Sequence, residues 1–219
     1  YFSFFTFSKA IEMHGFSIHW IFGAGGVGQS TFDAMWSGAR ISLSLAFICA
    51  AINMTIGVVV GAIWGFSKRI DIIMTEVYNI IGNVPYILLI SVLVMILSAS
   101  FWTMVFALTI TGWLSIAYFI RTQVVIIRDR EYNLASRCLG TPTVRIVLRN
   151  LLPYLVSVIM LRMALTIPEA IGNEVFITYI GLGLSVETPS LGNLVNDGRK
   201  VMMQAGLRYQ LLYPTLILS

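Results

Sequence analysis

Charged residues are scarce in this chain. Asp, Glu, Lys and Arg make up 11% of its 219 residues, whereas soluble domains average about 25%. Hydrophobic residues make up 58%, and the mean hydropathy is +0.85. This composition excludes an ordinary water-soluble domain, and we interpret the chain as a membrane protein.

The chain also lacks the side-chain groupings on which metal binding and catalysis depend. Cys49 lies in an apolar stretch and Cys138 in a polar one, so the two fit no metal-ligand spacing and predict no disulfide. His14 and His19 have no ligand-spaced partners. No nucleophile has a neighbouring base, and no carboxylate pair is placed to act on a substrate. The sequence therefore predicts neither a metal centre nor an enzyme.

Windows without charge are long enough to cross a membrane. Residues 41–67 are 27 uncharged residues, enough for one tilted helix. Residues 77–120 are 44 uncharged residues, and at ~1.5 Å per residue one helix of that length would be about twice the hydrocarbon thickness of a bilayer. We predict an all-α bundle of membrane helices with crossings over residues 41–67, 72–97, 102–120 and 151–171, and the start of a fifth over residues 211–219.

Glycines recur within these predicted spans, at Gly57, Gly61, Gly65 and Gly82. In membrane helices, glycine more often allows two helices to approach closely than it breaks a helix. We therefore predict close helix contacts at these positions.

Basic residues set the orientation of the spans. Lys68, Arg69 and the six arginines between residues 121 and 149 place eight of the 14 basic residues on one side, which we predict to be cytoplasmic. Residues 1–36 and 173–208 are then extracellular, and residues 37–219 form the transmembrane domain. The net charge of +4 comes from basic residues beside apolar spans, so anionic lipid head groups are the expected counter-charge rather than nucleic acid.

A polar segment, residues 131–153, interrupts the apolar spans. Glu131 lies where an acid favours the positive end of a helix, and Gly140 is a good residue to follow a helix end. Thr141 is then the N-cap of a second helix, with Pro142 at its first position. The pattern predicts a helix, a turn and a second helix.

The first of these helices has a small apolar stripe made of Leu134, Cys138 and Leu139. The stripe is too short for a core and too polar in its surroundings for a span, so it suits docking into a groove on a partner. Arg145 and Arg149 lie four residues apart on the second helix, which we predict to continue through Pro153 into the next crossing.

The polar segment resembles the EAA loop of permease subunits of ATP-binding-cassette importers. That pattern is Glu-Ala-Ala, three residues, Gly, nine residues, Ile, one residue and Leu-Pro. Ala135, Gly140, Leu152 and Pro153 match it, and Leu134, Ser136 and Asn150 depart from it. The motif's acidic residue is missing at position 134, and Glu131 lies one turn earlier.

The flanking sequence resembles the second permease subunit of oligopeptide and dipeptide importers, the OppC/DppC group, and most of all Gram-positive oligopeptide permeases. The resemblance rests on Tyr132, residues 167–170 (IPEA), 181–183 (GLG), 188–193 (TPSLGN) and 198–199 (GR). It implies a six-helix, type I importer subunit of the bacterial plasma membrane, of which about five spans are visible. It also implies a second permease subunit, two cytosolic ATP-binding subunits that hold ATP and Mg²⁺, and an extracellular peptide-binding protein; no cofactor is expected on this chain.

We therefore predict a permease subunit of an ATP-driven oligopeptide importer, with residues 121–150 as its cytoplasmic coupling region. The residues predicted to couple to the ATPases are Glu131, Tyr132, Leu134, Ala135, Ser136, Arg137, Leu139, Gly140, Thr141, Pro142, Leu152 and Pro153. Permeases for dipeptides, nickel or another small solute remain open, since the substrate class rests on the flanking resemblance alone.

Three ionisable residues, Glu76, Arg162 and Glu169, lie within or at the edge of predicted spans. Charge in hydrocarbon costs about 2.5–3.5 kcal/mol on insertion scales, so such groups normally face the bundle interior or a water-filled cavity. Arg162 and Glu169 are two helical turns apart on one face. They are candidates for the translocation path, and a structural ion pair is an equal alternative. Ion-path residues would instead favour a secondary transporter or channel, although no inverted repeat is detectable.

The segment Gly23 to Gly28 (GAGGVG) satisfies the dinucleotide-binding pattern G-x-G-x-x-G. A nucleotide site would also need a preceding strand or a phosphate-binding lysine, and Gln29 carries no charge. We interpret the segment as a flexible extracellular loop, and the alternative is a membrane-embedded enzyme that uses it.

Overall fold

The computed structural model describes residues 22–23, 30–146, 149–150, 152–185 and 188–218. Its helices are α1 (Thr31–Phe66), α2 (Lys68–Gly82), α3 (Tyr86–Leu97), α4 (Phe101–Arg128), α5 (Glu131–Cys138), α6 (Thr143–Ile146), α7 (Leu152–Tyr179), α8 (Leu191–Val201), a 3-10 turn (Ala205–Leu207) and α9 (Tyr209–Leu218). The predicted all-α class is confirmed.

Helix α1 is longer than the crossing predicted within it. It begins at Thr31, ten residues before the predicted span, because Ser30 caps it: the Ser30 hydroxyl accepts a 3.4 Å hydrogen bond from the Asp33 amide. Residues 31–36, which we predicted to be extracellular segment, are therefore helical. Arg40 does not end the helix but lies on its exposed side.

The predicted crossing over residues 72–97 is wrong as a single straight helix. It is a pair, α2 and α3, bent by 74° at residues 83–85. Pro85 has no amide to donate to the helix and disfavours helical backbone at Val84, which explains the break. The Asn83 side chain donates to the Asn79 carbonyl at 2.7 Å and thereby satisfies one acceptor at the end of α2.

Helices α4 and α7 are 28 residues each and extend beyond their predicted crossings. α4 continues past Ile120 to Arg128. α7 passes through Pro168 and continues to Tyr179, so residues 173–179 are helical and do not belong to the predicted outer loop. Charge-free windows define the apolar part of a helix and not its ends, because polar residues outside the hydrocarbon continue the same backbone hydrogen bonding.

Among the described residues, α1, α4 and α7 are long and apolar enough to cross a membrane, and the bent pair α2–α3 is a fourth candidate. α9 coincides with the beginning of the predicted fifth crossing and is ten residues long. The chain divides into two compact units. The first unit comprises described residues up to Leu45, residues 99–101 and those from Ile171 onward; the second comprises Ala46–Ser98 and Trp102–Ala170.

Close backbone contact between α1 and α4 organises the second unit. A Cβ atom added at Gly57 would lie 2.7 Å from the Ile116 side chain, one at Gly61 would meet the Ala117 carbonyl oxygen, and one at Gly65 would lie 2.7 Å from the Arg121 carbonyl oxygen. The predicted close contacts at these three glycines are confirmed. The one predicted at Gly82 is wrong, because an added Cβ there meets nothing within 4 Å.

Helix α4 lies at the core of the second unit. A buried cluster joins α4 to its neighbours. It contains four residues of α4 (Ile116, Ile120, Val124 and Ile127) together with Met54, Ile146 and Leu155. Half of the apolar window of α4 is buried, against 17% for α7. α7 therefore presents most of its apolar side chains outward.

Candidate functional site

Helix α5 forms the first half of the predicted coupling region and presents apolar side chains outward. Leu134 is 45% exposed and Leu139, just after the helix end, is 85% exposed. Tyr132 and Ala135 are also exposed. An eight-residue helix is too short to be stable alone, so contacts on its other side must hold it in place.

The turn after α5 has the geometry that the sequence predicts. Gly140 has φ +76°, its amide donates to the Arg137 carbonyl at 3.0 Å, and the Thr141 amide donates to the Ser136 carbonyl at 3.0 Å. These two bonds form a Schellman motif, in which the residue after the helix adopts the left-handed conformation. The prediction for Gly140 is confirmed.

The second helix of the region begins one residue later than predicted. The Pro142 carbonyl accepts from the amides of Arg145 at 3.0 Å and Ile146 at 3.3 Å, so Pro142 occupies the cap position and Thr143 begins α6. Thr141 as N-cap is therefore wrong by one residue. α6 ends at the buried Ile146, and Arg149 lies beyond residues 147–148, which are outside the described part of the chain.

The Leu-Pro pair lies at the start of α7. α7 begins at Leu152, and Pro153 lies in its first turn, where a missing amide leaves no helical hydrogen bond unmade. The predicted continuation of the second helix through Pro153 stays a prediction, because residue 151 lies outside the described part of the chain.

Arg128 holds the end of α4 against the end of α1. Its side chain is 5% exposed, and its Nη1 donates to the Gly65 carbonyl at 2.8 Å. Its Nε and Nη2 donate to the two carboxylate oxygens of Asp129 at 2.9 and 3.0 Å. The hydrogen bond from the Arg128 guanidinium lowers the pKa of the Asp129 carboxyl below its ordinary value. Sequence reasoning used Arg128 only as one of the basic residues that set orientation.

Asn133 holds α5 against the end of α4 and has no exposed surface. Its Nδ2 donates to the Ile127 carbonyl in the last turn of α4 at 2.7 Å, and its Oδ1 accepts from Asn150 Nδ2 at 2.8 Å. Sequence reasoning missed Asn133. The available signal was Asn150, which stands where the EAA pattern has Ile: a polar side chain at an apolar position requires a polar partner.

Arg137 joins α5 to the last residue of α1. Its guanidinium carbon lies 5.4 Å from the centre of the Phe66 ring. Asn133 and Arg137, whose contacts reach α4 and α1, thus lie on a different side of α5 from the exposed Leu134.

Asp71 and Arg121 connect α2 to α4. Arg121 Nε and Nη2 donate to Asp71 Oδ1 and Oδ2 at 2.7 and 2.8 Å, a two-bond pair between a guanidinium and a carboxylate. The Tyr78 and Tyr118 rings stack beside it with centroids 4.7 Å apart. Sequence reasoning did not single out this pair, since its members are 50 residues apart.

The residues predicted for the translocation path are partly brought together. Arg162 Nη2 lies 3.4 Å from Glu169 Oε2, so these two form an ion pair along α7. The Arg162 guanidinium carbon also lies 5.8 Å from the centre of the Phe119 ring of α4. Glu76 is exposed on α2. Whether any of the three contacts substrate stays a prediction.

A buried carboxyl group that sequence reasoning missed lies in the first unit. Glu174 of α7 has no exposed surface and accepts hydrogen bonds from the hydroxyls of Ser42 at 3.0 Å and Thr178 at 3.1 Å. Ser190 caps α8 by accepting from the Asn193 amide at 3.1 Å. The segment 188–193, used above only for its resemblance, approaches this group: a Cβ added at Gly192 would lie 3.0 Å from Glu174 Oε1, and the Leu191 amide donates to Ser42 at 3.2 Å.

The glycine-rich segment that suggested a nucleotide site lies mostly outside the described residues, as do His14 and His19. Gly23 is described: it has φ +70°, and an added Cβ would lie 2.9 Å from the Tyr209 ring. This close approach explains one glycine by packing.

Known transport proteins are similar to this chain over most of its length. Residues 57–218 match the family model of the binding-protein-dependent transport system inner membrane component. The chain is 46% identical over 204 residues to the oligopeptide transport system permease protein AmiD of Streptococcus pneumoniae, covering 90% of this chain and 66% of that protein. It is 37% identical over 202 residues to the dipeptide transport system permease protein DppC of Bacillus subtilis, covering 92% and 62%.

A third relative is the oligopeptide transport system permease protein OppC of Bacillus subtilis, at 38% identity over 181 residues and 82% and 59% coverage. The chain thus spans less than two thirds of the length of these relatives. Among solved structures, an inward-facing MetNI methionine ABC transporter matches with a TM-score of 0.67 and 18% identity, covering 84% of this chain and 89% of that one.

These matches and the apolar helices agree with the predicted type I importer fold. The family match and the apolar helices also confirm that the chain is a multi-pass membrane component of a transport system. The chain belongs to the family of inner membrane components of binding-protein-dependent transport systems.

Proposed function

We propose that this chain is a membrane-spanning permease subunit of an ATP-driven oligopeptide importer, that it forms half of the translocation path, and that it couples to cytosolic ATPases through α5. The proposal for peptide rests on the relatives named for oligopeptide and dipeptide transport. The proposal for coupling rests on one observation: α5 is held firmly on one side and exposes unpartnered apolar side chains on the other.

The exposed side of α5 is the surface that meets an ATPase. Burying a leucine side chain contributes about 1.5–3 kcal/mol, so Leu134 and Leu139 together supply a substantial docking energy from a small area. Both are largely exposed in this chain. Glu131 lies beside them on the exposed surface, and an opposite charge on the partner would set the register of docking.

The held side of α5 is the route by which force reaches the membrane helices. Asn133 of α5 bonds to the end of α4, and Arg128 at that end of α4 bonds in turn to the end of α1. When two ATPases close on ATP and Mg²⁺, α5 is displaced as a rigid unit because its buried contacts are hydrogen bonds and close packing rather than a flexible tether. The nucleotide and its metal belong to the ATPases in this proposal.

The second permease subunit completes the path. α7 leaves most of its apolar window unburied, which leaves a face for lipid and for the second permease. A peptide carries backbone donors and acceptors whatever its sequence, so the path between two permeases must offer polar or hydrated surface. We propose that sequence selection resides in an extracellular binding protein that docks on the segment before α1 and on residues 180–208.

The test uses the full transporter, assembled with its second permease and ATPases in proteoliposomes and supplied with binding protein and labelled peptide. Leu139→Arg and Leu134→Arg each place a charge in the docking stripe. We expect each variant to lose co-purifying ATPase and to lower uptake at least about tenfold, because a leucine that docking would bury is gone. Met203→Arg is the matched control for co-purification of the ATPase, because Met203 is 86% exposed, like Leu139 at 85%, and lies on the predicted outer side, away from the ATPases. Normal uptake by both leucine variants would refute the coupling role.

A dipeptide importer is the second candidate, favoured by the 37% identity to DppC. Competition for uptake by unlabelled peptides of two to six residues separates the two. Inhibition only by dipeptides would replace the oligopeptide assignment.

A further inference from the structure

We infer that Asn133 and Asn150 form a positioning pair that fixes the coupling helix α5 to the end of α4 and to the start of α7. The inference rests on the proposed function of α5. It assigns to these two asparagines the path by which a displacement of α5 reaches α7, without contact between either asparagine and the ATPase.

The first support is the burial of Asn133 in a helix that is otherwise exposed. Asn133 is fully buried, whereas its neighbours Tyr132 and Leu134 are exposed. Burial of an amide side chain is unfavourable unless its donors and acceptor are paired. Here Nδ2 donates to the Ile127 carbonyl and Oδ1 accepts from Asn150, so the amide is paired in both directions.

The second support is the place of the three groups along the chain. Ile127 is in the last turn of α4, one residue before its end at Arg128. Asn150 lies two residues before α7 begins at Leu152. A single buried side chain on α5 therefore bonds to the segments that lead into two different membrane helices.

The third support is that α5 has few contacts able to do the same work; one is the Arg130 guanidinium at its cap, which lies 6.0 Å from the centre of the Tyr154 ring of α7. An eight-residue helix has too few backbone hydrogen bonds to resist displacement by itself. Arg137 packs over the Phe66 ring, which joins α5 to α1 and not to α7. Within the described residues, the Asn133 to Asn150 bond is the side-chain hydrogen bond that links α5 to the segment before α7.

The pair also accounts for the departure of this sequence from the EAA pattern. An Ile at position 150 could not donate to Asn133 Oδ1, and the buried amide at 133 would lose a partner. Asn133 and Asn150 are therefore one unit, and an apolar pair at both positions is the alternative solution to the same packing problem.

The experiment measures peptide uptake per ATP hydrolysed by the full transporter in proteoliposomes, at equal amounts of assembled complex. Asn133→Leu and Asn150→Leu each leave the other amide without its partner. An unsatisfied buried group costs enough to shift an equilibrium by about fivefold or more, so we expect each single variant to lower uptake per ATP at least about fivefold. A merely structural role would lower the yield of complex and leave this ratio unchanged.

The double variant Asn133→Leu with Asn150→Leu is the rescue. Replacing both partners by apolar groups is close to neutral, and the Ile127 carbonyl keeps its bond from the Arg130 amide at 3.2 Å, so uptake per ATP should return to within about threefold of the original. Asn133→Asp serves if the leucine variants do not assemble: it is nearly isosteric, keeps the acceptor for Asn150, and turns a negative oxygen toward the Ile127 carbonyl. Asn133→Asp should lower the ratio as the single variants do.

Two results would overturn the inference. One is that the single leucine variants and Asn133→Asp keep the original uptake per ATP. The other is that the double variant is at least as impaired as the worse single variant. Leu139→Arg is measured in parallel. If Leu139→Arg and Leu134→Arg keep their ATPases and transport normally, the proposed function of α5 itself fails. If those variants lose their ATPases while the asparagine variants keep the original ratio, only the positioning pair is refuted.

Discussion

Ser42 of α1 donates a hydrogen bond of 3.0 Å to Glu174 of α7, and neither side chain has any exposed surface. The Ser42 oxygen also accepts from the Leu191 amide, at the beginning of α8, at 3.2 Å. A buried carboxyl group and one hydroxyl thus tie three helices of the first unit together. Burying an ionisable group costs free energy unless specific partners hold it, and here the partners are hydroxyl groups.

Removing the Glu174 carboxyl should destabilise the protein. Glu174→Leu leaves the hydroxyls of Ser42 and Thr178 without their acceptor, at about 1–3 kcal/mol for each unsatisfied buried group. Glu174→Gln keeps one acceptor oxygen and should cost less. The midpoint of thermal unfolding of the purified transporter measures both, with Glu76→Leu as the control because Glu76 is exposed on α2. Equal midpoints for Glu174→Leu and Glu76→Leu would contradict the prediction.

Gly61 should tolerate no side chain. A Cβ atom there meets the Ala117 carbonyl and lies 2.8 Å from Ile120 Cβ, so Gly61→Ala forces α1 away from α4. Overpacking of this kind costs about 1–3 kcal/mol, and we expect a lower thermal midpoint and less assembled transporter. Gly82→Ala is the matched control, since it meets nothing within 4 Å and alanine favours helix. A control variant less stable than Gly61→Ala would show that close approach is not the reason.

The elements that sequence predicted well are those whose cause is local. The turn at Gly140 follows from a backbone conformation that glycine adopts freely, and the start of α7 follows from Pro153. The exposure of Leu134 and Leu139 was predictable because their stripe is too short for a core. Pro85 was a local signal of the break between α2 and α3, but the charge-free window around it concealed that break.

The supports of the site escaped prediction because their partners are distant in sequence. Asn133 and Asn150 are 17 residues apart, Arg128 and Gly65 are 63 apart, and Ser42 and Glu174 are 132 apart. Apart from Gly65, which contributes a backbone carbonyl, hydropathy gives each of these residues as a polar side chain and does not indicate that it is buried. Only the folded chain brings each residue to the hydrogen-bond partner that offsets the free-energy cost of its burial.

Variants of the ion pair between Arg162 and Glu169 distinguish a structural role of these residues from a role in the translocation path. Glu169→Gln should lower the amount of assembled transporter, because the Arg162 guanidinium is left without its carboxylate. The exchanged pair Arg162→Glu with Glu169→Arg should restore most of it, since the attraction is the same in either direction. Size-exclusion chromatography of the complex measures assembly. Restored assembly with an altered preference between acidic and basic peptides would instead assign these residues to the path.

Gly140 should be replaceable only by residues that adopt its backbone conformation. An added Cβ at Gly140 meets nothing within 4 Å, so the cost of a substitution comes from φ +76° and not from a clash. A left-handed conformation costs an ordinary residue about 1–2 kcal/mol, and asparagine less. Gly140→Val should therefore lower peptide uptake more than Gly140→Asn, because the strain reorients α5 relative to α6 and misplaces the docking stripe. If both variants transported like the original protein while Leu139→Arg did not, the orientation of α5 would be set by its buried contacts alone, and the Schellman turn would have no part in coupling.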